Sequence, residues 1–136
     1  MEREIKFRGL NPNTKKWHYG YFMVFEKYPK VLDINYVHND VDAETVGQYT
    51  GLKDKNLTPV YDGDILKWKD KIVLVKWESQ ACAFWMCWTK EKEGKKISYY
   101  EFINADSGYV NEKESMEYSN DNIEVIGNIH QNTELI

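Results

Sequence analysis

Apolar and polar residues alternate along much of this chain, which is the pattern of half-buried β-strands. Ile5 and Phe7 begin the alternation, and residues 17–25, 31–38, 65–68, 72–78, 97–103 and 123–129 continue it. Turn-forming residues, mainly Gly, Asn, Asp and Pro, separate these segments, and Gly20 is expected to mark a bulge or bend inside one of them. The pattern predicts short antiparallel strands joined by hairpins.

Three segments depart from this alternation. Residues 82–88 are apolar at every position, which predicts a central strand buried on both faces. Residues 39–59 are polar and contain glycine, which predicts a loop with one short helical turn after Asp42, whose side chain would cap it. A loop is predicted at 104–108, and the polar residues 112–122 fit either a short helix or a loop.

The composition supports an all-β fold. Ten Val and ten Ile outnumber seven Leu and four Ala, and β-branched residues suit strands better than helices. A chain of 136 residues can bury a core without disulfides or metal ions. We therefore predict one all-β, mainly antiparallel domain over residues 1–136, with at most short helical turns.

Net charge and the lack of long apolar runs indicate which partners and which compartment are expected. Eighteen basic and 22 acidic residues give a net charge of -4, which disfavours binding to a phosphate backbone. The sequence has no run of about 18 apolar residues and begins with charged residues, so we expect a cytoplasmic protein without membrane association.

Motifs for catalysis are missing from the sequence. It has no Gly-rich phosphate loop, no Cys-x-x-Cys pair and no His-Glu-x-x-His spacing. Cys82 and Cys87 lie among Trp, Phe and Met residues, so they are predicted to be reduced, buried and unreactive. We predict no catalytic residue and no cofactor.

Two groups of acidic residues allow alternative interpretations. One face of an extended chain would carry an imidazole and three carboxylates, from His38, Asp40, Asp42 and Glu44. These groups could bind a divalent cation. A turn at Asn39 and Asp40 would instead scatter them into solvent, and this interpretation is favoured, so no metal ligand is predicted.

Asp62 and Asp64 flank Gly63 and would place two carboxylates close together for acid–base chemistry. A turn in which both acids bind nearby backbone amides is favoured over catalysis. Both residues are kept as candidate binding residues.

Thr45, Gln48, Tyr49 and Thr50 are the other candidate binding residues, because they bring hydrogen-bonding groups and an aromatic ring into a polar segment. A packing loop is favoured over binding, with Tyr49 against the rest of the fold and Thr45 and Thr50 acting as local caps.

Aromatic residues on the predicted strands are a further candidate for binding. Tyr19, Tyr21, Trp85 and Trp88 could stack on bases or sugars. Lys and Arg are dispersed and often adjacent to acids, so core packing is favoured for these rings.

Three parts of the sequence form a distinctive combination: residues 5–8 with 17–20, residues 41–56 leading to the Tyr-Asp-Gly-Asp-Ile of 61–65, and residues 124–129. Together they resemble the YopX family of phage-associated proteins. The string Val-Gly-Gln-Tyr-Thr-Gly-Leu at 46–52 is the most specific part, because no general feature of strands or turns requires it.

The resemblance implies where the protein comes from and how it folds, but no biochemical activity. It implies a protein of bacteriophages or prophages of mainly Gram-positive bacteria, mostly β in structure, with a small Src-homology-3-like barrel part. We therefore expect a phage- or prophage-encoded protein-binding module that self-associates into a homo-oligomer through exposed strand edges. The alternatives are a nucleic-acid-binding small β-barrel and a metal-dependent enzyme.

Overall fold

A computed structural model describes residues 4–103 and 122–136. Within these residues the chain forms strands and two 3-10 turns, at Ala43–Thr45 and Thr133–Leu135, and no α-helix. The all-β prediction is confirmed. The strands are β1 Phe7–Leu10, β2 Trp17–Phe25, β3 Tyr28–Leu32, β4 His38–Asp40, β5 Gly47–Lys53, β6 Pro59–Tyr61, β7 Asp64–Trp68, β8 Lys71–Glu78, β9 Ala83–Lys92, β10 Lys95–Ile103 and β11 Ile123–Asn128.

The strands form two antiparallel sheets. One has the order β4-β3-β2-β1-β5-β6 and the other the order β10-β9-β8-β7-β11. A barrel closes only when its first and last strands pair. The end strands of each sheet do not pair among the described residues, so the barrel-like part implied by the resemblance is not closed there.

The described chain divides into two compact units after Tyr49. We call the part up to Tyr49 the N-terminal unit and the part from Thr50 onward the C-terminal unit. The expectation of a single domain over residues 1–136 stays a prediction.

In the N-terminal unit, β2 changes its partner at Gly20. Its first half pairs with β1 and its second half with β3, from Tyr21 opposite Leu32 to the end of the hairpin. The strand predicted over residues 31–38 is wrong in its bounds, because the chain turns after Leu32 and resumes pairing as β4 at His38. The turn forms because the Asp33 side chain accepts local backbone N–H groups.

The segment predicted as a loop, residues 39–59, is partly strand. The 3-10 turn after Asp42 is confirmed, and the Asp42 carboxylate accepts the Glu44 N–H at 3.0 Å. However, β5 and the start of β6 also lie in this segment. The polar residues of β5 conceal the strand, since Thr50 is fully buried although its side chain is hydrophilic.

The core of the C-terminal unit lies on one face of its sheet. Trp68 and Trp88 meet edge-to-face there, with ring centroids 5.6 Å apart. Within the described strands, β9, which is predicted to be central, instead lies second from the edge, between β8 and β10. The buried core residues are Leu52, Val60, Leu66, Trp68, Val73, Val75, Phe84, Met86 and Ile123.

Some predictions fall outside the described residues, namely the loop at 104–108 and residues 112–121 of the polar segment. No helix in the part of the chain that the structure describes is long and apolar enough to cross a membrane.

Candidate functional site

Thr45 is buried in the N-terminal unit, where its hydroxyl joins two backbone segments. Its Oγ1 accepts the Leu10 N–H at 2.9 Å and donates to the Asp42 carbonyl at 2.6 Å. The side chain acts as a local cap, as the packing interpretation of this segment proposed.

Tyr49 is also buried, and Gln48 is half-buried beside it in β5. The Tyr49 N–H donates to the Lys6 carbonyl at 2.8 Å, and the Lys6 Nζ lies 5.1 Å from the centre of the Tyr49 ring. Burial raises the pKa of the Tyr49 hydroxyl, and the negative charge of Glu4 adds to the rise. Of these two side chains, Gln48 is the more accessible to a partner.

Thr50 is fully buried in the C-terminal unit. Its Oγ1 donates to the Val60 carbonyl at 2.8 Å and accepts the Leu52 N–H at 3.1 Å. The hydroxyl therefore satisfies two buried backbone groups and faces no solvent.

Replacing Thr50 with Val is expected to lower the free energy of unfolding by about 1–2 kcal/mol. The near-isosteric side chain keeps the volume but leaves the Val60 carbonyl and the Leu52 N–H without this partner. Urea unfolding measures the change, and Thr50→Ser, which keeps the hydroxyl, is the control. An unchanged Thr50→Val variant would show that the two hydrogen bonds contribute nothing.

The carboxylates of Asp62 and Asp64 stabilise a turn by accepting backbone N–H groups. The Asp64 Oδ2 accepts the Tyr61 N–H at 2.8 Å, and the Asp62 Oδ1 accepts the Trp77 N–H at 2.9 Å. Gly63 between them has a φ of +92°, which favours glycine, and its N–H donates to the Val75 carbonyl. Asp64 is buried. These contacts are those of the turn that the sequence favoured over catalysis.

The candidate binding residues do not all belong to one unit. Thr45, Gln48 and Tyr49 lie in the N-terminal unit, whereas Thr50 and the two aspartates lie in the C-terminal unit. Whether any of the six binds a ligand stays a prediction.

The acidic residues near residue 40 serve separate local contacts. Asp40 pairs with Lys30, Asp42 caps the 3-10 turn, and His38 lies against the Phe25 ring. Among residues 4–103 and 122–136, no group of three or more His, Cys, Asp or Glu side chains is arranged to hold a metal ion.

Both cysteines are free thiols, but their surroundings differ. Cys82 is exposed in the turn before β9, so the prediction that it is buried in a strand is wrong. Its φ of +49° explains this, because a left-handed residue does not continue a strand. Cys87 is half-buried in β9, and burial raises the pKa of its thiol.

Exposed large hydrophobic side chains are concentrated in the β2–β3 hairpin and the following loop. They lie on both faces of the hairpin, with Tyr21, Phe25 and Tyr28 on one face and Phe22 and Val24 on the other. Nine of the eighteen exposed large hydrophobic side chains of the described residues lie between residues 19 and 37. We call this set the hairpin surface. Its members are Tyr19, Tyr21, Phe22, Val24, Phe25, Tyr28, Ile34, Tyr36 and Val37.

The hairpin ends in a tight two-residue turn. Glu26 and Lys27 both have positive φ, 49° and 76°, as a two-residue hairpin turn of the primed type requires. This turn places Phe25 opposite Tyr28, and both rings are exposed. The sequence pattern predicts core packing for Tyr21, but its side chain is 67% exposed.

The loop after β3 is held in shape while it exposes apolar residues. The Asp33 Oδ1 accepts the N–H groups of Asn35 and Val37, and the Asp33 N–H donates to the Val37 carbonyl at 3.1 Å. Ile34 and Tyr36 are nevertheless 91% and 84% exposed. These two side chains are therefore exposed although hydrogen bonds order the loop that carries them.

A groove of about 560 Å³ runs beside this loop in the N-terminal unit. Trp17, Tyr21, Leu32 and Ile34 contribute apolar walls. The hairpin surface thus combines projecting rings with a concave site large enough to take a side chain of a partner.

A family model described as YopX protein matches residues 6–136 of this chain. The chain belongs to the YopX family. This match confirms the resemblance carried by the segments around residues 5–20, 41–65 and 124–129. No curated protein matches the chain closely enough to count as a relative.

The C-terminal unit of this YopX chain has a groove of its own, of about 700 Å³. Ile72 and Leu74 contribute to its apolar floor, and the side chains of Lys71, Lys90 and Lys96 also line it. Asp70 also lines this groove, so its three lysines give it a local excess of positive charge although the chain as a whole is acidic.

The loop of the hairpin surface should be sensitive to acid. The Asn39 side chain donates to the Asp33 Oδ2 at 3.0 Å, and this hydrogen bond, with that from the Val37 N–H, lowers the pKa of Asp33. Because the folded pKa lies below the unfolded one, the ionised carboxylate stabilises the loop above the unfolded pKa. That contribution is lost as the pH falls through the folded pKa.

We expect Asn39→Ala to raise the pKa of Asp33 towards its ordinary value. An NMR titration of the side-chain carboxyl carbon measures the shift in wild type and variant. Asn35→Ala is the control, because only its backbone N–H contacts Asp33. An Asp33 pKa that is the same in Asn39→Ala and wild type would contradict the assignment.

Proposed function

We propose that this YopX-family chain is a non-catalytic protein-binding module that binds its partner through the hairpin surface. The observation that carries the proposal is the concentration of nine exposed large hydrophobic side chains within residues 19–37. Within this set Tyr21, Phe25 and Tyr28 share one face of the hairpin, and clusters of exposed apolar side chains on soluble proteins often mark interaction sites. Tyrosine and other aromatic residues are also enriched in protein interfaces.

The loop supports this proposal because its order lowers the entropic cost of binding. Asp33 and Asn39 fix the backbone that carries Ile34 and Tyr36. Residues that are already ordered lose little conformational freedom when a partner covers them. An exposed but ordered apolar loop is therefore suited to recognition.

The charges around the hairpin surface indicate the chemistry of the partner. Lys30 and Asp40 pair with each other across β3 and β4, so neither supplies an unbalanced charge. Tyr21, Tyr28 and Tyr36 offer apolar rings with hydroxyl groups at their ends. The partner we propose is a protein with an apolar, weakly charged surface and carbonyl acceptors for these hydroxyls.

The setting of this interaction is part of the same proposal. We place the protein among phage- or prophage-encoded proteins that act in the cytoplasm of a Gram-positive host. Membership of the YopX family supports this origin through the properties that the resemblance implies. The partner is accordingly a phage or host protein.

The test has two steps. The tagged protein is first used to capture partners from a lysate of a prophage-carrying Gram-positive host, with and without nuclease. Each captured protein is then purified and its binding measured by isothermal titration calorimetry. We expect one of them to bind wild type stoichiometrically and to bind the Tyr21→Ser/Tyr28→Ser variant at least about tenfold more weakly.

Leu57→Asn is the matched control for this experiment. Leu57 is exposed but lies in the C-terminal unit, and asparagine tolerates its positive φ of 64° better than leucine does. This variant should bind like wild type. Circular dichroism confirms that all three proteins are folded.

Two results would overturn the proposal. One is equal affinity of the purified partner for wild type and the Tyr21→Ser/Tyr28→Ser variant. The other is capture that disappears after nuclease treatment and weakens steeply with salt. This second result would identify a nucleic acid as the ligand and direct attention to the groove with Lys71, Lys90 and Lys96.

A further inference from the structure

We propose that two copies of this chain form a symmetric dimer by antiparallel pairing of β10 with β10, with Ser98 at the two-fold axis. This interface lies in the C-terminal unit and does not involve the hairpin surface. The proposal rests on the length of a strand edge that no strand of residues 4–103 and 122–136 covers, and on the order of charges along it.

The strand β10 is the edge of its sheet. It pairs with β9 along its whole length, from Lys95 opposite Lys92 to Ile103 opposite Phe84. No strand in residues 4–103 and 122–136 pairs with its other side. Such an edge presents backbone N–H and C=O groups that a further strand can pair with.

The other sheet edges in the described part of the chain are less suited to pairing. The strands β4 and β6 have three residues each, and β11 contains a register shift between Val125 and Gly127. Short edges and bulges are devices that prevent edge pairing. In contrast, β10 has nine residues, no proline and a continuous register with β9.

Symmetry restricts how β10 can pair with itself. In an antiparallel pair, residues opposite each other point to the same face of the sheet. A two-fold axis perpendicular to the sheet therefore lies midway between the two copies of one central residue. A residue a given number of positions before the centre in one copy then lies opposite the residue the same number of positions after it in the other copy. Each choice of central residue gives one set of partners.

With Ser98 at the centre, the partners are complementary. Lys95 of each copy lies opposite Glu101 of the other, and Ile97 lies opposite Tyr99. Lys95 is also opposite Lys92 within its own sheet, and like charges at opposed positions are destabilising. A carboxylate from the second copy would offset that repulsion.

Registers centred on the residues next to Ser98 do not pair opposite charges. With Tyr99 at the centre, Glu101 lies opposite Ile97 and Lys95 opposite Ile103. With Ile97 at the centre, Glu101 lies opposite Glu93. The charges along β10 therefore select the register centred on Ser98.

Two aromatic rings of this strand, those of Tyr99 and Tyr100, are already fixed in position. Tyr99 stacks on Trp88 and Tyr100 on Trp85, with ring centroids 5.8 and 4.3 Å apart. Both tyrosines are still exposed, at 37% and 57%. Rings that are held in place and exposed contribute contact area at little entropic cost.

A charge exchange tests the register. Analytical ultracentrifugation of wild type at up to about 100 µM should show a dimer, and Glu101→Lys should raise its dissociation constant at least about tenfold. Combining Lys95→Glu with Glu101→Lys restores opposite charges, so the double variant should dimerise about as well as wild type. A monomeric wild type, or a double variant as weak as Glu101→Lys, would overturn the proposal.

A cysteine at position 98 tests the axis independently. In the proposed register the two Ser98 Cα atoms are about 4.5–5.5 Å apart, within the range of a disulfide. In a Cys82→Ser background, Ser98→Cys should form a disulfide-linked dimer under mild oxidation. Lys96→Cys should not, because its two copies would lie roughly 13 Å apart. Equal cross-linking of both variants would reject the register.

This dimer and the proposed function can fail separately. The Tyr21→Ser/Tyr28→Ser variant should dimerise like wild type, whereas Glu101→Lys should still bind the partner protein. A hairpin variant that becomes monomeric would contradict the assignment of the dimer interface to β10.

Discussion

Gly20→Ala is expected to lower the free energy of unfolding of the N-terminal unit by about 3 kcal/mol, from overpacking and backbone strain together. A Cβ on Gly20 would lie 1.9 Å from the Leu32 carbonyl oxygen, so the backbone of β3 would have to move. Gly20 also has a φ of +152°, which side-chain-bearing residues rarely adopt. Hydrogen exchange of the β2 and β3 amides, followed by NMR, measures the loss.

Gly94→Ala is the matched control for this variant. Gly94 also has a positive φ, +76°, but a Cβ there meets nothing within 4 Å. Gly94→Ala should lower the free energy of unfolding of its own unit by only about 1 kcal/mol, from backbone strain alone. Hydrogen exchange of the β9 and β10 amides measures it. If Gly20→Ala were no more destabilising than Gly94→Ala, close approach of β3 would not be the reason for glycine at position 20.

The second large effect is expected at Asp54, a buried carboxylate in the C-terminal unit. Its Oδ1 accepts the N–H groups of Asn56 and Thr58, at 2.8 and 2.9 Å, and its Oδ2 accepts the Val125 N–H at 2.9 Å. One side chain therefore shapes the turn after β5 and ties it to β11.

Asp54→Ala should lower the free energy of unfolding of the C-terminal unit by about 3 kcal/mol or more, because three backbone donors lose their acceptor. Urea unfolding followed by tryptophan fluorescence measures the change. Asp54→Asn keeps one acceptor oxygen and should lose about half as much. A loss below about 1 kcal/mol in Asp54→Ala would mean that water replaces the carboxylate at all three amides.

Much of the fold was predictable from local sequence pattern. The alternation in residues 17–25 and 72–78 corresponds to β2 and β8, and the helical turn after Asp42 forms as expected. The bend expected at Gly20 is the point where β2 changes its pairing partner. These features depend on residues close together in the chain, so they can be predicted without the fold.

The candidate site was less predictable. The hydrogen-bonding side chains of Thr45, Tyr49 and Thr50 make them candidates in the sequence, but all three are buried and bind backbone groups or pack. A polar side chain gives the same signal in a sequence whether it binds a ligand or satisfies the backbone of its own fold. Tyr21 shows the converse, because an aromatic ring expected in the core lies in solvent.

The sequence by itself determined the fold class, the main hairpins and membership of the YopX family, because alternation, turn residues and a specific string are all local. Only the tertiary structure decided which face of each strand is covered. Burial depends on which strands become neighbours, and the sequence does not specify those neighbours locally. For this reason only the fold shows that polar Thr50 is buried and that aromatic Tyr36 is exposed.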